Sequence, residues 1–190
     1  MSEIKINIHL AQRRSRRAFD SNKPVSDADL NALLEAARWA PSGGNGQPWR
    51  YVIGHKGDAT YEVLFGLLMP GNQGWAQNAT VLALTVAQVV RIASDGKRQP
   101  NRTALHDLGM ANMSIAAEAT ERGLNIRMMG GYNYEAAKKL VDAETHGFDL
   151  GPMMAIGWLG DGAGLDADLI KRDLEPRTRK PIEEMRLAIA

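Results

Sequence analysis

The most constraining feature of the sequence is a run at residues 81–90 that is apolar except for Thr85 and Gln88. A helix that crosses a bilayer needs about 20 apolar residues, so this run is too short to span a membrane as a helix. A short, continuously apolar segment with several β-branched residues is typical of a buried strand. We therefore expect a central strand with a layered fold built around it.

Other segments supply the remaining layers. Helices are predicted at residues 4–14, 26–40, 58–69, 105–119 and 134–141, and further strands at residues 49–53, 124–129 and 153–159. Ser26 followed by Asp29 predicts a helix start of the capping-box type, whereas Pro70-Gly71-Asn72 predicts a helix end. Residues 94–102 are polar and predict an exposed connection. This alternation indicates an α/β or α+β fold, and 190 residues suffice for one domain over residues 1–190.

Composition removes several classes of chemistry. The chain has no cysteine, which excludes disulfides, iron–sulfur clusters and cysteine nucleophiles. Its formal net charge of +1 gives no overall field that would draw it to nucleic acid or to an anionic membrane. The four histidines are far apart, and the acidic residues form no recognisable metal loop. We therefore expect a cytoplasmic protein with no metal, no nucleic acid and no membrane partner.

Two basic clusters toward the ends of the chain could hold an anion. Arg13-Arg14-Ser15-Arg16-Arg17 offers guanidinium groups and a hydroxyl, which bind phosphate through charge-assisted hydrogen bonds. Arg177-Thr178-Arg179-Lys180 forms the second cluster. A solvated basic face, a nucleic-acid patch or an exposed tail would have the same composition. A phosphate site assembled from both ends of the chain would use both clusters.

Two glycine-rich loops could approach a flat heterocycle. In Pro41-Ser42-Gly43-Gly44-Asn45-Gly46-Gln47-Pro48-Trp49, the glycines let the backbone come close to a ligand, and the amides of Asn45 and Gln47 offer donors and acceptors. In Met128-Met129-Gly130-Gly131-Tyr132-Asn133, the glycine N–H groups could donate to the electron-accepting edge of a flavin ring. A surface turn and a tight strand-to-helix turn are the alternatives for these loops.

In chain order, these motifs resemble those of the nitroreductase-like family of FMN-dependent NAD(P)H oxidoreductases. Residues 13–19 resemble its R-R-S-x-R-x-F motif, and residues 41–49 resemble its P-S-x-x-N-x-Q-P-W loop. Asn72-Gln73, Gly130-Gly131-Tyr132-Asn133 and Arg179-Lys180-Pro181 are similar to its N-Q, G-G-F-D and R-K-P elements. The resemblance covers nearly the whole chain.

The resemblance implies an α+β fold whose central, mainly antiparallel sheet is flanked by helices, in an intertwined homodimer with FMN at the subunit interface. The flavin phosphate and pyrimidine side would be bound by Arg13, Arg14, Ser15 and Arg17, and the phosphate also by Arg177 and Arg179. The partner subunit would contribute Pro41, Ser42, Gly43 and Asn45. The remaining candidate cofactor-binding residues are Gln47 and Asn72, with Gly130 and Gly131 near the flavin N5 edge.

The activity that the resemblance implies is transfer of reducing equivalents from NADH or NADPH to a small acceptor, such as a nitroaromatic or a quinone, by a ping-pong mechanism. Flavin N5 would carry the chemistry, so no catalytic side chain is required. Relatives with this fold also reduce enones or dehalogenate aromatic substrates. A flavin carrier or sensor, and a polyanion-binding module without turnover, are alternatives of a different class.

The sequence departs from the family pattern at three places. Some relatives have a lysine soon after the Asn72 region, whereas here the next lysine is Lys97. Thr80 stands where many relatives have proline, and Asn133 replaces the usual aspartate. Larger relatives have a lid helix that usually sets the choice of acceptor. The resemblance implies that this lid is reduced here to the connection at residues 94–102.

Overall fold

A computed structural model describes residues 4–189. In chain order its main elements are α1 (Ile8–Gln12), α2 (Asp27–Arg38), β1 (Trp49–His55), α3 (Ala59–Leu67), α4 (Pro70–Ala76), β2 (Val81–Gln88), β3 (Val90–Ile92), β4 (Arg98–Pro100), α5 (Ala104–Glu121), β5 (Leu124–Met129), α6 (Tyr134–Leu140), α7 (Ala143–His146), β6 (Phe148–Trp158) and α8 (Ala167–Leu174). The main sheet has the order β1-β2-β6-β5, and all its neighbouring strands are antiparallel. The expected α+β class is confirmed.

Strand β2 is the buried centre of the sheet, as the apolar run predicts. Its alternate side chains enter two separate hydrophobic cores, with Val81 and Ala83 on one side and Leu82 and Leu84 on the other. Helices α2 and α5 cover the first face, and α3, α4 and α6 cover the second. Both faces are apolar because both are covered.

Local signals set several helix boundaries. The Ser26 hydroxyl accepts from the backbone N–H of Asp29 (3.1 Å) and donates to its carboxylate (2.7 Å), which confirms the predicted start of α2. The predicted helix at residues 58–69 is α3, which ends at Leu67. Pro70-Gly71-Asn72 was predicted only as the end of a helix, but Pro70 also begins α4, because proline fits the first helical position, where no N–H is needed.

Other boundaries differ from the predictions. The first helix is only α1, and the connection at residues 94–102 contributes β4 to a hairpin with β3. Strand β6 begins at Phe148, five residues before the predicted strand, and α7 and α8 were not predicted. The predicted domain over residues 1–190 includes residues 1–3 and 190, which lie outside the described residues. None of the helices at residues 4–189 is both long enough and apolar enough to cross a bilayer.

Candidate functional site

A cleft of about 380 Å³, the arginine cleft, is lined by eight arginines and two carboxylates. It joins the segment after α1 to the segment that includes the end of α8 and the residues after it. The cleft is lined by Arg13, Arg14, Ser15, Arg16, Arg17, Arg127, Arg172, Asp173, Glu175, Pro176, Arg177, Thr178 and Arg179. Arginines outnumber carboxylates in this lining, so the cleft is suited to bind an anion.

Hydrogen bonds between the two ends of the chain build this cleft. The Arg14 guanidinium donates to the carbonyls of Asp173 (3.2 Å) and Glu175 (3.0 Å). Arg177 reaches back and donates to the carbonyl of Arg13 at 2.6 Å. Both clusters that the sequence singled out therefore line one cleft, although more than 150 residues separate them.

Arg127 is a further cation of the cleft, which the sequence reasoning did not single out. It projects from β5, donates to the carbonyl of Ser15 and lies 5.3 Å from the ring centre of Trp75. Burial lowers the pKa of Arg127, and the nearby charge of Arg17 lowers it further. The signal in the sequence was a single charged residue within an otherwise uncharged strand. Its partner Ser15 could be identified only from the fold.

The turn after β5 begins three residues beyond Arg127, which lines the cleft. Asn72 in α4 donates its side-chain amide to the carbonyl of Gly131 at 2.9 Å, and the Met69 N–H donates to the same carbonyl at 3.0 Å. A Cβ on Gly131 would meet the Asn72 amide nitrogen at 2.8 Å, so this position requires glycine if that contact is to form. Gly130 is exposed with open space around it. Within residues 4–189, no protein group accepts a hydrogen bond from the N–H of Gly130 or Gly131.

The loop at residues 41–48 is held by a buried carboxylate. The Gly43 N–H donates to Asp107 at 3.0 Å, and the Thr103 hydroxyl donates to the same carboxylate oxygen at 3.0 Å. Asp107 is only 2% exposed. Asn45 and Gln47 have positive φ angles of 56° and 45°, a conformation that is costly for residues with side chains.

The same loop is closed by its own side chains. The Ser42 hydroxyl accepts from the Gln47 N–H at 3.1 Å, and the Gln47 amide donates to the Asn45 side-chain oxygen at 3.2 Å. Pro41 precedes these contacts and is exposed. The sequence reasoning did not single out Asp107 or Thr103 for this loop. A lone aspartate within the apolar pattern of α5 was the available signal.

The loop and the cleft lie at opposite ends of α5. Asp107, in the first turn of the helix, contacts the loop, whereas Glu121 at the end of the helix contacts His9 in α1, which precedes the cleft. A second cavity, of about 240 Å³, is lined both by Arg13 and by Thr120 near the end of α5. With a rise of 1.5 Å per residue, Asp107 and Glu121 are roughly 20 Å apart. The two arginine clusters of one chain therefore share a cleft, whereas the loop is anchored at the other end of α5.

Comparisons with known proteins agree with this architecture. A model of the nitroreductase family matches residues 10–65. A solved structure described as an oxidoreductase containing FMN is 35% identical, with a TM-score of 0.91 over 98% of this chain and 93% of that chain.

Two sequence relatives cover most of the chain. An uncharacterised 15.4 kDa protein in the ask 5′ region of Mycolicibacterium smegmatis is 32% identical over an alignment of 147 residues, with 72% of this chain and 92% of that protein covered. YodC of Bacillus subtilis, provisionally named an NAD(P)H nitroreductase, is 27% identical over 161 residues, with 70% of this chain and 79% of that protein covered. The chain belongs to the nitroreductase family.

Proposed function

We propose that this protein binds FMN and transfers reducing equivalents from NADH or NADPH to a small acceptor. The observation that carries the proposal is the arginine cleft, which both ends of the chain form and whose Arg127 lies three residues before the turn at residues 130–131. The solved relative that contains FMN supports it, because its likeness extends over nearly the whole chain. The provisional name of the Bacillus subtilis relative supports a nicotinamide donor.

The chemistry of the available groups fits FMN. Arginine guanidinium groups and the Ser15 hydroxyl are suited to a phosphate ester, because they donate several charge-assisted hydrogen bonds. The N–H groups of Gly130 and Gly131 are suited to donate to the edge of the flavin ring, since no protein group among the described residues accepts a hydrogen bond from them. Asn72 would set the position of this turn through its bond to Gly131.

When bound, FMN supplies the transfer of a hydride or electrons between donor and acceptor. The chain's own residues then bind and orient, and none is required to act as a nucleophile or an acid. Arg17 would lie near the pyrimidine side of the ring, where a reduced flavin carries negative charge, and its ion pair with Asp173 offsets part of the positive charge that it places there. Within residues 4–189, no group of three or more His, Asp or Glu side chains is placed to hold a metal. We propose a nitroaromatic or a quinone as acceptor, reduced in a ping-pong sequence.

We also propose that the working unit is a homodimer in which each site uses both chains. The loop at residues 41–48 is anchored at the first turn of α5, roughly 20 Å along the helix from Glu121, which contacts α1 just before the arginine segment, so we expect the loop to face the cofactor of the partner rather than that of its own chain. A two-fold arrangement presents the same patch of each subunit to the other, so the partner's loop could complete each site. This arrangement would use all the motifs in one site.

A visible spectrum of the purified protein tests the cofactor and the reaction. We expect a yellow protein whose flavin absorbance bleaches with NADH or NADPH under anaerobic conditions and recovers when a nitroaromatic or quinone is added. Bleaching without recovery would favour a flavin carrier or sensor. A colourless protein that takes up no added FMN would contradict the proposal.

Mixing two inactive variants tests the shared site. Arg13→Ala would disable the cleft, and a second variant, Asn45→Ala, would disable the loop. After the two proteins exchange subunits, we expect flavin binding at about one site in four, because half of the dimers are mixed and each mixed dimer has one intact site. Recovery would be absent if each site used the cleft and the loop of one chain.

A further inference from the structure

Asp173 is a nearly buried acid within the arginine cleft. Its side chain is 8% exposed, and its carboxylate accepts from both the backbone N–H and the guanidinium of Arg17. The other carboxylate of the lining, Glu175, is exposed and accepts from Arg14 only through its backbone carbonyl. Asp173 therefore binds residues 13–17 through its charged side chain, whereas Glu175 contacts them only through its backbone.

The contacts of Asp173 fix the path of residues 13–17. Its side chain holds the backbone and the side chain of Arg17, and its carbonyl accepts from Arg14 at 3.2 Å. Residues 13–17 lie outside the regular helices and strands. The contacts with Asp173, which is 156 to 159 positions away in the sequence, therefore hold this segment in place of the hydrogen bonds of a helix or a strand. The position of the phosphate-binding arginines thus depends on the end of α8.

Electrostatics by itself would oppose a carboxylate at this place. An acid in a cleft that binds an anion repels that anion and neutralises one arginine. Asp173 also offsets the charge of Arg17 at the half-buried Arg127, so it reduces repulsion between the two cations. The two effects of Asp173 on anion binding, positioning and repulsion, therefore have opposite signs.

We propose that Asp173 is a positioning residue, which holds residues 13–17 in the arrangement that binds the phosphate ester of a flavin mononucleotide. This inference rests on the proposed function and concerns how the same cleft selects FMN over riboflavin, which lacks the phosphate. Positioning outweighs repulsion because the one carboxylate holds both the backbone N–H and the guanidinium of Arg17, whereas the bond from Arg14 to the backbone carbonyl survives any substitution at this position. Loss of the carboxylate therefore weakens phosphate binding even though it removes a negative charge.

The test compares the affinities of the flavin-free full-length protein for FMN and for riboflavin. In Asp173→Ala we expect the ratio of the FMN affinity to the riboflavin affinity to fall about tenfold, which corresponds to about 1.4 kcal/mol. In Asp173→Asn we expect a smaller fall, because the amide oxygen still accepts one of the two Arg17 contacts. Hydrogen exchange at residues 13–17 should become faster in Asp173→Ala without flavin. Asp168→Asn, which removes a charge from α8 outside the cleft, is the matched control and should leave the ratio unchanged.

Each result decides between the explanations. A ratio that rises in Asp173→Ala would show that charge repulsion dominates, and would overturn the inference. An unchanged ratio together with a lower melting temperature would show a merely structural ion pair, and would also overturn it. A wild-type protein that binds no FMN would overturn the proposed function, whereas FMN binding with an unaltered ratio in Asp173→Ala would overturn only this inference.

Discussion

Replacing Asp107 by alanine should open the loop at residues 41–48 while leaving the rest of the fold in place. The carboxylate accepts from the Gly43 N–H and the Thr103 hydroxyl, both at 3.0 Å, in a nearly buried position. Hydrogen bonds to charged groups contribute about 1.5–3 kcal/mol each. Alanine recovers about 0.6 kcal/mol of helix propensity, and water can reach the exposed Gly43 once the bond is lost. Taking the lower value, the two bonds together contribute about 3 kcal/mol, so after these gains we expect a net loss of about 2 kcal/mol, expressed mainly in the loop.

Hydrogen exchange measures this loss where it occurs. A cost of about 2 kcal/mol raises the open population of the loop roughly 30-fold, so amides in residues 43–47 should exchange about 30-fold faster in Asp107→Ala. Asp107→Asn keeps an oxygen acceptor and should give a smaller increase. His106→Ala is the matched control, because this exposed neighbour only touches the Asp107 carboxylate at 3.4 Å. Loop exchange within twofold of the wild-type rate in Asp107→Ala would refute the assigned role of the carboxylate.

Three further predictions concern packing, pH and the cleft. A Cβ on Gly54 would lie 2.5 Å from the Cα of Tyr61, so Gly54→Ala should lower the free energy of unfolding by about 3 kcal/mol and the melting temperature by about 6–12 °C. Gly66 has open space around it, so Gly66→Ala should raise the free energy of unfolding by about 0.5–1 kcal/mol. Equal melting temperatures of the two variants would contradict this prediction. Burial raises the pKa of Tyr61 to about 12, so the contribution of Tyr61 to stability is complete below about pH 10 and is lost as the pH rises through 12. Urea titrations should show a smaller loss over this range in Tyr61→Phe than in the wild type, and the rest of the loss comes from Tyr51, Tyr132 and Tyr134, whose pKa values are also raised. Arg13→Ala and Arg179→Ala should purify as folded proteins with flavin largely lost, and full flavin occupancy in both variants would refute the role of these arginines in binding the cofactor.

Much of the fold follows from local patterns in the sequence. The apolar run predicted the central strand, and Ser26 with Asp29 predicted the start of α2, because burial and capping act within a few residues. The misplaced boundaries also have local physical causes. Pro70 breaks a helix that precedes it and begins one that follows it, so its presence does not reveal which of the two applies.

The candidate site could be predicted less completely, because its binding groups are local motifs but the groups that support them are not. The arginine clusters and glycine loops have recognisable compositions. Asp173, Asp107 and Arg127 do not, since each acts through a partner at least 60 residues away in the sequence. Single acidic or basic residues occur throughout the chain, and only the fold distinguishes these three from the rest.

The length of α5 has the largest consequence for the site. Its first turn anchors the loop through Asp107, and its end lies beside the arginine cleft, so the distance between the two motifs is set by a rigid helix. Motif order along the chain carries no information about this distance, and all the motifs could have met in one subunit. A helix of 18 residues cannot shorten, which is why we propose that the partner's loop completes a site that needs both the loop and the cleft. If this reasoning is correct, dilution that separates the subunits should release the flavin even though every arginine of the cleft is still present.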